Sequence, residues 1–402
     1  MSPQEHALPY PLTPESALEP PREWEGLRRE CPVADVHLPN GAPAKLLTRH
    51  EDVKAMLADP RFERDIRVGS TAGDAGETGD DSADLSRMVP STGENHLRWR
   101  RLVGRWFTAK RMRQLRPGME RIAEDLIRDM TASGQPADLK ASLAFPLPVF
   151  VICDMLGVPA EDRERFSRWS DTLLNLTRYT GQEMQAAQRE FVDYMAGHIE
   201  AKHAEPADDL ISALIEQRES GEDGLDDTEL LGTSMGLLIA GHETTANMIG
   251  KMVSMLLADR SRWERLVSDP SKVRTAVEES LRADANQGFG LTRMVTEDTE
   301  VAGETVPEGS AVVCSMAAAN RDEHVFSDPD GMDLERVPNP HLAFGTGAHS
   351  CLGQALARTE LQVTLEVLLR ELPTLELASP PEHLERVEGL LVGGLREVPV
   401  RW

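Results

Sequence analysis

Cysteine is scarce in this chain. The 402 residues hold four, Cys31, Cys153, Cys314 and Cys351, far apart and with no C-x-x-C pair. Such scatter excludes a disulfide framework and predicts reduced thiols in a cytoplasmic protein. Positive charge is also short: 43 Lys and Arg stand against 68 Asp and Glu, a net charge of −25. A chain of that sign does not bind nucleic acid through phosphates and does not adhere to an anionic membrane, so its partners are small or meet a local patch. Long hydrophobic runs are missing. The greasiest stretch, "LAFPLPVFVICDMLGV", is broken by Pro146, Pro148 and Asp154, which excludes a membrane-spanning helix. The N-terminal residues show no basic segment followed by an apolar one, so no export signal is expected. There is no internal repeat.

What is present suffices for a large core. About two-fifths of the residues are hydrophobic, and the length allows two or three domains or one large one. A proline-rich arm over residues 1–25 leads into "AKLLTRHEDVKAMLADPRF", which reads as strand, turn and helix. Residues 69–84, "GSTAGDAGETGDDSAD", have almost nothing to bury, and 66–95 is expected to be a mobile substrate-access loop inside a single domain spanning 1–402. From Asn95 to about Arg282 the pattern is mostly helical. After Arg293 short strands with Gly and Pro turn signals follow.

Three clusters carry chemistry. In "LDDTELLGTSMGLLIAGHETTANMIGKMVSMLLADR", Asp226 and Glu229 form a capping-box start, and the apolar residues surround the whole helix, so it is central and buried. Its polar break, Gly241-His242-Glu243-Thr244-Thr245, allows a threonine hydroxyl to bond the carbonyl four residues back, bend the helix and open a groove. Glu279 and Arg282 share a helix face, as do His96 and Arg100; a solvated surface pair is the plain reading of each alone. The third cluster is "HLAFGTGAHSCLGQALAR". Gly345, Gly347 and Gly353 let the backbone turn tightly around Cys351, and a helix expected from about Leu352 aims its free N–H groups at the sulfur, favouring a thiolate. Zinc lacks a second Cys or His pair at ligand spacing. A nucleophilic cysteine with a histidine base stays open, but leaves the groove helix without a purpose.

The runs Ala240-Gly241-His242-Glu243-Thr244-Thr245, Glu279-x-x-Arg282 and Phe344-x-x-Gly347-x-His349-x-Cys351-x-Gly353, in this order along the chain, resemble the cytochrome P-450 monooxygenases, most closely soluble bacterial members, over residues 27–402. The resemblance implies a mainly α fold with a minor β portion, the haem lying between a long central helix and the Cys-ligand loop. The cofactor would be haem b, with Cys351 as axial thiolate and Phe344, Gly353 and Ala240 close to it. His96, Arg100, Arg293 and His349 would bind the haem propionates, and Glu279, Arg282 and Arg336 would form a structural charge triad. Thr244 would pass protons and Glu243 replenish them. Met88, Val89, Gly236, Asn286, Gln287, Phe289, Leu291, Leu390 and Leu391 would line the substrate cavity.

The implied activity is O2-dependent hydroxylation or epoxidation of a bulky, mostly apolar natural product in secondary metabolism, such as antibiotic biosynthesis. Electrons would come from NAD(P)H through a ferredoxin reductase and ferredoxin to a monomeric enzyme. Oxidative coupling or desaturation is the alternative on the same haem; a haem sensor or carrier would not need Glu243 and Thr244. Two stretches depart from the family pattern. "PSTGEN" precedes His96 where an Asp-Pro-Pro-Glu run is usual, and "ADANQGFGLT" replaces a proline and large apolar residues, so the Asn286 and Gln287 amides either face substrate or satisfy local backbone. Residues 98–116 hold eight Lys or Arg and no acid, a candidate landing patch for an acidic ferredoxin that includes Arg105 and Arg111.

Overall fold

The computed structural model describes residues 7–63, 89–90, 92–174, 179–221, 223–286, 288–387 and 392–402. Packing groups the chain into two compact units. The first takes 1–79, 251–351 and 376–398; the second takes 80–250, 352–375 and 399–402. Neither follows chain order, because the elements group by packing partner. Most of the proposed access loop 66–95, namely 66–88 and 91, lies outside the described residues.

The first unit holds a six-stranded sheet, in the order Leu8–Pro9, Val33–His37, Pro43–Leu47, Ala311–Cys314, Leu291–Val295, Phe62–Glu63. Alternating apolar residues set its register: Leu46 faces Val313 and Leu47 faces Cys314 in parallel pairing, and all four are fully buried. From Leu8 onward the proline-rich arm joins this sheet. Leu8 pairs with Val36 and Pro9 with His37, an edge position where a missing N–H costs little. Tyr10 is buried, and its hydroxyl donates to the Phe289 carbonyl at 2.6 Å. The strands expected after Arg293 are present. Thr299–Val301 and Glu304–Val306 form a hairpin turning at Ala302 and Gly303, both with positive φ, as a tight two-residue hairpin turn requires.

The second unit is helical: Gly93–Gly104, Ala109–Ala132, Pro146–Leu156, Arg163–Leu174, Gly181–Ala204, Leu210–Glu219, the front of Asp227–Ala258, and Gln354–Glu371. Caps fix where several start. Thr180 and Glu183 form a capping box, and the Asp209 carboxylate accepts from the Ser212 N–H at 2.8 Å. Gln354–Glu371 packs along Ala109–Ala132, burying Ile122, Ala123 and Ile127 on one side and Leu361, Leu365 and Leu368 on the other. Each large apolar side chain so buried contributes about 1.5–3 kcal/mol, more than the flanking Arg370–Glu124 surface pair. Among the described residues no helix is long and apolar enough to cross a membrane.

Candidate active site

The helix Asp227–Ala258 begins with the expected box: the Asp226 carboxylate accepts from the Glu229 N–H at 2.8 Å, and Glu229 returns the bond to the Asp226 N–H at 3.0 Å. Residues 245–257 are buried on every side, whereas one turn higher Ala240 and Thr244 are exposed and Gly236 is half-covered. Positions 236, 240 and 244 lie one above another, so one narrow face of a core helix is left open. Val89 Cγ2 stands 3.8 Å from where a Gly236 side chain would begin, which brings these two proposed substrate neighbours together. Thr244 Oγ1 donates to the Ala240 carbonyl at 2.9 Å, the four-residue back-bond anticipated. The helix nevertheless runs unbroken through it.

The polar run divides between two faces. Glu243 is half-buried, and burial pushes its carboxyl up to about 7, with Lys140 opposing. His242 points the other way and is fully buried. Its Nε2 lies 3.1 Å from the Phe145 carbonyl, its Nδ1 meets the Ser170 hydroxyl, and the Phe145 ring stands edge-on at 4.2 Å. Desolvation lowers its pKa to about 4, so it is a neutral anchor for the helix and takes no part in the groove. Thr245 is buried as well. It faces Glu360, whose two oxygens find no well-formed hydrogen bond; burial drives this carboxyl well above the usual range and the threonine offsets it only in part. Glu360 was not picked out in the sequence. Its signal is an acid on the core face of "ELQVTLEVLL", beside Leu361 and Thr364.

On Gly93–Gly104, His96 is buried and donates from Nδ1 to the Pro90 carbonyl at 3.0 Å, while half-buried Arg100 follows one turn later. Arg98 pairs with Asp223 at 2.6 Å and Glu229 at 2.8 Å, and Trp99 Nε1 donates to Thr233 at 2.9 Å, fixing this helix to the start of the long one. The basic stretch is less naked than its sequence implied. Arg111 pairs with Asp208 at 3.0 Å and lies over Trp106, and Arg116 meets Glu120 and Glu366, whereas Arg105, Lys110 and Arg113 are exposed.

In the sheet unit Glu279, Arg282 and Arg336 come together with hardly any exposure. Arg282 donates to both Glu279 oxygens at 2.8 Å and Arg336 Nε to Oε2 at 3.0 Å, and the Asp333 N–H adds a bond at 2.8 Å. The remaining Arg282 donors reach the carbonyls of Asn320, Pro329 and Gly331 at 2.7–2.9 Å. This is a fully satisfied buried ion cluster, the form in which such a cluster persists.

Cys351 is exposed, and its N–H donates to the Phe344 carbonyl at 2.8 Å. Gly347 has a φ of 75°, and a side chain there would begin 2.5 Å from the Leu57 carbonyl, so glycine is required. Gly353 is different. Its φ of −83° suits any residue and the space around its missing side chain is open, so the described residues do not require glycine there. The following helix starts at Gln354, two residues later than expected. Phe344 and His349 are half-buried in this loop. Arg293 is buried on the strand Leu291–Val295, on the same face as Leu291. Burial pushes the Cys314 thiol up to about 12 and the Cys153 thiol higher still; Cys31 is raised too.

Asn286 takes a duty other than substrate contact. It is buried, and its amide donates to the Gly394 carbonyl at 3.3 Å. Phe289 lays its ring edge-on against Tyr10 at 5.1 Å, and Leu291 lies beside Gly345 at 3.7 Å. Met88, Gln287, Leu390 and Leu391 are outside the described residues.

The donor types present in each unit suit an iron porphyrin: in the sheet unit an exposed thiol, Cys351, on a glycine-bent loop and a buried guanidinium, Arg293, and in the helical unit the half-buried guanidinium of Arg100 with the His96 ring one turn before it, side chains of the kind that hold carboxylates. Among the described residues no three His, Cys, Asp or Glu side chains gather as metal ligands.

Comparison with known proteins agrees. The family described as Cytochrome P-450 matches residues 40–269 and 271–393. The chain is 43% identical to nocardicin C N-oxygenase of Nocardia uniformis subsp. tsuyamanensis, over 98% of each chain. It is 42% identical to mycinamicin IV hydroxylase/epoxidase of Micromonospora griseorubida, again over 98% of each. A solved structure of a mixed-function P-450 in complex with mycinamicin IV superposes with a TM-score of 0.90 at 41% identity, covering 99% of this chain and all of that one.

Proposed function

The chain belongs to the cytochrome P-450 family, a haem b oxidoreductase using O2, and on that premise we propose that it hydroxylates or epoxidises a bulky, mostly apolar natural product in a tailoring step of secondary metabolism. The substrate class is supported by the names of the relatives, which act on nocardicin C and mycinamicin IV, and by the small residues Gly236 and Ala240 on the uncovered helix face. Haem b, when bound, supplies the activation of O2 and the transfer of one oxygen atom. Cys351 would hold its iron, and His96, Arg100, Arg293 and His349 its carboxylates.

The observation that carries the catalytic reading is Glu243, a carboxyl poised near neutrality one residue from an exposed threonine hydroxyl. With a pKa of about 7, Glu243 is an acid below neutrality and a carboxylate above it. It can therefore take a proton from solvent and hand it to the Thr244 hydroxyl or a water held there. A haem sensor has no use for this pair. The sign of the pH effect follows: product formed per NADPH consumed is level below about pH 6 and falls roughly tenfold per unit above about pH 8. Glu243→Gln flattens that profile at a low value. Thr244→Ala still consumes NADPH but releases peroxide in place of product. An unchanged pH profile in Glu243→Gln and unchanged coupling in Thr244→Ala would remove both residues from proton delivery.

The experiment that tests the substrate class is an optical binding screen of the haem-loaded protein against macrocyclic and polycyclic natural products, followed by turnover with ferredoxin, its reductase and NADPH. Productive binding of camphor-sized molecules or straight-chain acids alone would overturn it. We place ferredoxin docking near Lys110 and Arg113, since most other cations of 98–116 already have acidic partners. Neutralising both slows reduction about fivefold at low salt and leaves substrate affinity unchanged. Equal wild-type reduction rates at low and high salt would count against it.

A further inference from the structure

Lys251 is a lone cation in the apolar C-terminal part of the helix Asp227–Ala258, and it is 3% exposed. A buried ammonium needs partners. It has two: Nζ donates to Asp284 Oδ2 at 2.7 Å and to the Asn286 carbonyl at 2.7 Å. Both belong to the passage leaving the helix Val273–Ala283, where the family usually has a proline and large apolar residues. A helix end leaves orphan carbonyls, and here the carbonyls of the exit are met by cations from three distant places. Arg321 donates to the Ala283 carbonyl at 2.7 Å, Arg386 to that of Ala285 at 3.2 Å, and Lys251 to that of Asn286.

The same residues hold a second segment. Asp284 Oδ1 accepts from the Asn286 N–H at 2.9 Å, which turns the Asn286 amide onto the Gly394 carbonyl. Gly394 also accepts from the Val387 N–H at 2.9 Å, and the Arg396 N–H donates to the Glu385 carbonyl at 2.8 Å, closing the base of a hairpin. Gly393 is pressed so close that a side chain there would begin 2.1 Å from Asn286 Oδ1 and 2.3 Å from its carbonyl. The fit leaves no room for sliding.

We propose that Lys251 is a specificity-determining positioning residue: by gripping Asp284 and the Asn286 carbonyl together it fixes the passage carrying Phe289 and Leu291 against the hairpin base, and so sets which carbon of a bulky substrate is presented for oxidation. This rests on the reading of that passage as part of the substrate cavity. A displacement of about 1 Å in such a wall changes rates up to about a hundredfold, so the effect falls on product choice more than on folding.

The test compares wild-type holoenzyme with Lys251→Met and with Lys251→Met/Asp284→Asn, the latter removing both charges of the buried Lys251–Asp284 pair. Amide hydrogen exchange is read at Val387 and Arg396, and imidazole and phenylimidazole are titrated optically. Expected in the double variant are exchange about tenfold faster at those two amides, a change of at least about fivefold in the ratio of the two azole affinities, and an unfolding midpoint close to wild type. Unchanged exchange with an unchanged ratio overturns the proposal. So does a lowered unfolding midpoint with the ratio constant, since that marks a purely structural lysine. Failure of the wild type to turn over any natural product would count against the function proposed above and leaves both readouts intact.

Discussion

Cys351→His should still take up haem yet lose the carbon monoxide absorption band of a thiolate-ligated iron, and product formation should fall below about a hundredth of wild type. The expectation rests on elimination among four thiols. Cys314 is fully buried against Met56, with Sγ 3.2 Å from the thioether sulfur, and its pKa of about 12 keeps it protonated. Cys153 is sealed in an apolar helix and raised further, and Cys31 is raised by burial and by Glu304 and Asp35. Only Cys351 is exposed, on the loop bent at Gly345 and Gly347. A Cys351→His protein that keeps the band, together with a Cys314→Ser protein that loses it, would reverse the assignment.

The second large effect is on stability. Glu279 receives bonds from Arg282, Arg336, the Asp333 N–H and the Asn339 amide, with no exposure to water. Removing its charge strands two buried guanidiniums, a loss of about 3–5 kcal/mol. Folded proteins are stable by about 5–15 kcal/mol, so Glu279→Ala should leave little soluble protein. Glu279→Gln, which keeps the shape, should fold, with urea unfolding showing most of that loss and haem retention falling in parallel. A Glu279→Gln variant within about 1 kcal/mol of wild type would mean the arginines find other partners.

The parts of this molecule that sequence made legible are those governed by short-range periodicity. Asp226 with Glu229, and Glu279 with Arg282, sit three residues apart and meet as spacing requires. In sequence the polar run reads as one groove, whereas residues two apart on a helix lie on nearly opposite faces, which is why His242 turns away from Thr244. Partners far along the chain were another matter. Nothing near Lys251 announces Asp284, and nothing near Glu360 announces Thr245, because each pair is made by packing between separate elements. The strand at Leu8–Pro9 escaped notice for the same reason. A two-residue edge strand has no periodicity to read, and its partner Val36 decides it.

The interleaving of the two units carries a consequence for how the protein is made. The sheet unit joins Leu8 to residues near 395, and in the helical unit Pro399 pairs with Asp138 across most of the chain. A ribosome delivers residues in order, at about 5–20 per second, so tens of seconds pass with the early segments waiting for their partners. Neither unit is complete until its late segments, 376–398 in the first and 399–402 in the second, have left the ribosome. The apolar strands Val33–His37 and Pro43–Leu47 therefore wait for Ala311–Cys314, made more than 260 residues later, before their sheet can be completed.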